Sequence, residues 1–229
     1  MRDQRDGAPK CEEKPDYQCY RPEFIPPDSP PQHGPVEPAA GQDDYFLRKA
    51  REEFPYLQAM RRRFHQNPEL PIEEKETSLY IREELRRLEI SYQLVDPYGV
   101  VAVIQGCGPG RTAALRADMD ALPLQELGET EYRSRRDGCM HACGHDAHTA
   151  ILLGAAKLPS QNRGRFSGTA KLVFQEAEEI GAGALLMLKS GMLDDCSAIF
   201  GLHQSAEYPT GQIFVQEKKY FCRQCDFYG

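Results

Sequence analysis

"TAKLVFQEAEE", residues 169–179, passes from a small-and-apolar run straight into three glutamates. Consecutive strand residues point to opposite faces, so the unbroken Leu172-Val173-Phe174 needs apolar cover on both sides of a sheet. Two further β-type runs end in the same way. "TAALRADMD" (112–120) closes on Asp118 and Asp120, and "AIFGLH" (198–203) closes on His203. Strand patterning also marks residues 92–95, 99–106 and 211–216. Helical spacing marks 44–53, 55–66, 75–89, 147–158 and 182–190. Pro55 fits a first helical turn, and Ser78, Ile81, Leu85 and Leu88 share one face of the third helix. Strands alternating with helices predict an α/β fold with a mixed, largely parallel sheet flanked by helices. In such sheets ligands bind beyond the carboxyl ends of the strands, so three strand ends would bring acids and a histidine to one rim.

A second stretch points to the same rim. "MHACGHDAHTA" (140–150) holds three of the chain's six histidines together with Cys143. Cys143 and His145 would fall just before the helix predicted from residue 147. Thiolate, imidazole and carboxylate donors suit zinc, manganese or cobalt better than calcium or magnesium. Each element alone has a plainer reading. Glu178-Glu179 suits a solvated helix N-terminus, and Asp118 and Asp120 suit turn caps. His203 suits a hydrogen-bonded core position, and Cys143 a small buried hydrophobe. Taken together, so much titratable material disfavours a core and favours a metal site. Of two adjacent glutamates at a strand end, one would bind metal and the other would act as base toward a metal-activated water.

Composition limits the alternatives. A formal charge of −7 and a pI near 5.5 argue against nucleic acid as a partner. The basic clusters at Arg61-Arg62-Arg63 and around Arg133, Arg135 and Arg136 read as solvated surface. No apolar run approaches the roughly 20 residues of a membrane span, and the charged, proline-rich first thirty residues show no secretory leader. A soluble chain is expected, with its compartment open. Residues 1–42 carry nine of the 17 prolines and read as a disordered tail. Residues 43–214 read as the globular part, and 215–229 as a divergent C-terminal tail. The eight cysteines show no disulfide framework, and Cys222 with Cys225 supplies at best half a zinc site.

Five segments resemble, in order and spacing, the metal-dependent amidohydrolases of the M20 peptidase family. They are "RRRFHQNPEL", "ALRADMDALPLQE", "MHACGHDAHTAILLGAAKL", "FQEAEEIGAGA" and "IFGLHQSAEYPTGQI". Within that family the likeness is greatest to plant hydrolases that release indole-3-acetic acid from its amino-acid conjugates. The resemblance implies two divalent metal ions (manganese, zinc or cobalt) held by Cys143, His145, Glu179 and His203, with the Cys143 thiolate bridging them. It implies Glu178 as general base, Asp120 as the group orienting a ligand histidine, and a small N-acyl amino acid as substrate. Three departures stand out: Glu176 replaces a proline, Ile180 a glycine, and Gln204 an apolar residue. The family's catalytic domain is also completed by a later segment that follows an inserted lid and carries one more ligand histidine. His203 is the last histidine here, so lid-mediated dimerisation is not expected. The alternative expectation is a truncated, catalytically silent chain that binds metal weakly or associates with a full-length relative.

Overall fold

The computed structural model describes residues 45–206 and 209–213, nearly all within one compact unit, Glu37–Gln212. The two tails and the Cys222/Cys225 pair lie outside the described residues. Three helices lead: α1 (Tyr45–Glu52), α2 (Phe54–Gln66) and α3 (Lys75–Arg87). Strands β1 (Ser91–Val95), β2 (Gly99–Gln105) and β3 (Thr112–Asp118) follow. Then come α4 (His145–Gln161), β4 (Thr169–Gln175), α5 (Gly183–Lys189) and β5 (Cys196–Gly201). The sheet order is β1-β2-β4-β3-β5. β1 and β4 run antiparallel to β2, whereas β4 and β5 run parallel to β3. The sheet is therefore mixed, and its parallel half carries the three strands that lead into the acids and the histidine.

β4 answers the question its sequence raised. Leu172 and Phe174 pack into the larger core with Ile81, Leu85, Ile104 and Leu153. Val173 points the other way, into a smaller core with Val101, Ala114 and Met187 of α5. One strand thus serves two apolar layers, which explains why its apolar run does not alternate. Burying such side chains contributes about 1.5–3 kcal/mol each.

Most elements start or end one to three residues from expectation, and three differences matter most. α4 begins at His145, two residues early, because Gly144 adopts φ +88 and turns the chain so that "HDAH" forms the first helical turn. Cover on both faces holds for β4 but not for β5, where the consecutive residues Ile199 and Phe200 are 54% and 60% exposed. The strand expected over 211–216 is not found: residues 211–213 are turn and coil, and 214–216 lie outside the described residues.

Candidate metal and catalytic site

The parallel strands β4, β3 and β5 present their carboxyl ends side by side, and α4 starts against the same rim. Asp118 closes β3 in full burial. Its Oδ1 accepts a bond from His148 Nδ1 at 2.6 Å, and its Oδ2 accepts one from the Arg116 guanidinium at 2.7 Å. Burial opposes the charge on Asp118, but His148, His145 and Arg116 hold its carboxyl well below the usual range. Asp120 lies two residues on. Its carbonyl and Oδ1 accept from His145 Nδ1 at 2.9 and 3.2 Å. Its Oδ2 accepts the Glu179 backbone amide at 2.9 Å. One carboxylate thus orients a histidine from α4 and the turn after β4.

His145 is fully buried, and its Nε2 has no hydrogen-bond partner. That atom lies 3.6 Å from Asp118 Oδ2, 3.7 Å from Glu179 Oε1 and 3.8 Å from Glu178 Oε2. Glu179 Oε1 is likewise buried without a partner. Burial would lower the His145 pKa, but Asp120, Cys143 and Asp118 carry it up to about 11. Burial pushes the Glu179 carboxyl up against the pull of His145. A nitrogen and an oxygen left unsatisfied and facing one another are costly unless a cation joins them.

The thiol sits on the open side. Cys143 Sγ contacts His203 Nε2 at 3.4 Å, and His203 Nδ1 donates to the Gln204 carbonyl at 2.6 Å. The imidazoles of His145 and His203 hold the Cys143 thiol below its ordinary value, and Cys143 in turn lifts His203 to about 9. The start of α4 adds its dipole to the same effect on the thiolate. Both histidines spend Nδ1–H on an oxygen and leave Nε2 facing the rim, the orientation in which Nε2, once deprotonated, could bind a metal.

Three overlapping sets of donor atoms lie within 4.8 Å: Cys143, His145 and His203; His145, Glu178 and Glu179; and Asp118, His145 and His148. The first two contain every residue that the sequence nominated for metal or base. The third adds His148, which sequence reasoning did not single out. Both its nitrogens are engaged: Nδ1 bonds to Asp118, and Nε2 accepts the Gln204 amide at 2.9 Å. His148 thereby ties the segment carrying His203 to β3. Its position three residues after the cysteine motif's last histidine, about one helical turn on, was the available signal. The donor set of soft thiolate, two imidazoles and carboxylates fits borderline divalent cations.

Residues 114–220 match the family described as Peptidase family M20/M25/M40. The chain carries a domain of this family. It is 49% identical over 176 residues to IAA-amino acid hydrolase ILR1-like 5 of Arabidopsis thaliana, covering 75% of this chain and 40% of that protein. It is 46% identical over 160 residues to N-acetylcysteine deacetylase of Bacillus subtilis, covering 69% and 42%. Among solved structures, the Bacillus subtilis YXEP protein, a dinuclear metal binding peptidase from the M20 family, superposes with a TM-score of 0.66. That match has 43% identity and covers 71% of this chain and 45% of that one. The M20 domain here thus spans about 40% of the length of the curated relatives it matches.

Proposed function

We propose that this M20 domain serves hydrolysis of the amide bond of N-acyl amino acids, with auxin–amino-acid conjugates as one substrate class. The observation that carries the reading is the buried, unpartnered Nε2 of His145, with carboxylate oxygens of Glu178 and Glu179 at 3.8 and 3.7 Å. Cys143, His145, Glu179 and His203 would hold two divalent cations, of manganese, zinc or cobalt. When bound, such a pair supplies Lewis acidity at the scissile carbonyl and a water of lowered pKa.

The chain's own groups supply the rest. Glu178 is the more exposed of the two glutamates, with 39% side-chain exposure against 15% for Glu179. It is the carboxylate with room to take a proton at an oxygen from the attacking water and return it to the leaving nitrogen. Asp120 fixes the ring of His145 and the amide of Glu179 together, so that donor and base keep one relative geometry. The products are a carboxylic acid and a free amino acid. Assay of the purified, metal-loaded chain on N-acetyl and indole-acetyl amino acids tests the reading. Glu178→Gln should cut kcat by about 10²–10⁴-fold with metal content unchanged. Full turnover in that variant would dismiss Glu178 as the base.

In a second reading this chain binds metal through the same donors but does not turn over by itself. Robust hydrolysis by the purified chain without any partner protein would reject it.

A further inference from the structure

The turn that presents Glu178 and Glu179 is held from outside by a residue the reaction does not use. Ala177 adopts φ +50, a left-handed conformation that residues with a Cβ avoid. Its carbonyl accepts the amides of Ala182 and Gly183, and the Glu178 carbonyl accepts that of Gly181. The Ala177 amide leaves the turn and donates to Glu74 Oε1 at 2.7 Å, across 103 residues of sequence. Glu74 immediately precedes α3 and is fully buried. α3 is itself locked into the larger core through Ile81 and Leu85. The Glu179 amide is pinned separately by Asp120. Two buried carboxylates, one from the α3 entrance and one just beyond the end of β3, therefore hold two amides that bracket Glu178.

We infer that Glu74 is a positioning residue that fixes the Ala177 turn and thereby the placement of Glu178 and Glu179 at the rim. The inference rests on the proposed roles of those two glutamates. A residue held in the left-handed region persists only where its surroundings over-determine it, and the Glu74 acceptor is the tertiary contact that does so here. Loss of outer partners that orient metal ligands typically weakens metal binding or activity 10- to 100-fold.

The experiment compares Glu74→Gln, which keeps an acceptor oxygen, with Glu74→Leu, which has none. Glu74→Asp, one methylene short of reach but still charged, takes the place of the leucine variant if that variant does not fold. Amide exchange at residues 177 and 179 is read alongside Co²⁺ titration of the purified chain. Glu74→Leu or Glu74→Asp should exchange at both amides at least tenfold faster and bind Co²⁺ about tenfold more weakly, with β4 amides unchanged. Glu74→Gln should stay within about twofold of the parent in both measurements. Parental exchange at Ala177 and Glu179 in the leucine or aspartate variant would overturn the inference, and so would a glutamine variant that behaves like them. Equal Co²⁺ affinity in the parent and in Cys143→Ala would instead remove the metal reading, with the exchange rates still judging the hold of Glu74 on the turn.

Discussion

At the scale of single residues, the site is built from donors whose partners leave one atom free. The quoted motifs made Cys143, His145, Glu178, Glu179 and His203 legible, because each falls at a strand end or helix start where a side chain meets the rim. The burial of Glu74 and Glu176 and the tie made by His148 were not legible. A glutamate in sequence reads as surface, and only the fold shows Glu74 and Glu176 at 0% exposure. Burial raises both from 4.5 to about 7. A carboxyl whose folded pKa is raised contributes stability that is fully present below pH 4.5 and is lost as pH rises through about 7. Glu176→Gln removes one such charge and should stabilise the metal-free chain at pH 8 by about 1–3 kcal/mol. The difference in thermal midpoint between variant and parent should widen by about 3–6 °C from pH 5 to pH 8. An equal difference at both pH values would show that Glu176 is not held neutral by folding.

At the scale of elements, periodicity found what packing enforces and missed what tertiary bonds decide. β4 and α3 follow their apolar patterns because both enter the larger core. α4 starts earlier than its apolar pattern because its first turn is polar, and its histidines bond to carboxylates at and just beyond the end of β3. Leu153, fully buried on α4, anchors that helix against the sheet. Leu153→Ala should cost about 2–5 kcal/mol in denaturant unfolding; a loss below 1 kcal/mol would place α4 outside the cooperative core. Gly183 opens α5 where a Cβ would stand 1.6 Å from the Glu176 carbonyl oxygen. Gly183→Ala should therefore cost at least about 2 kcal/mol and disturb the glutamate turn. Parental stability of that variant would contradict the close approach.

At the scale of the whole molecule, the sheet is well covered at its centre and bare at one edge. β5 pairs only with β3 among the described strands, and Ile199, Phe200 and Leu202 are at least half exposed, as is Leu188 of α5. The apolar run "AIFG" gave no hint of this, because it reads like the interior strand β4. A bare apolar edge strand favours association, so concentrated chain should self-associate in light scattering despite its charge of −7. Phe200→Lys should lower that scattering severalfold, and unchanged scattering would assign association to another surface. No described helix is long and apolar enough to cross a membrane.

The convergence of Cys143, His145, Glu179 and His203 on shared cations is tested most directly by anomalous diffraction from zinc-loaded crystals of the chain. The expected map shows two peaks at bonding distance, about 2.0–2.4 Å, from Cys143 Sγ, the Nε2 atoms of His145 and His203, and a Glu179 oxygen. Zinc bound elsewhere, with these four side chains bare, would contradict it.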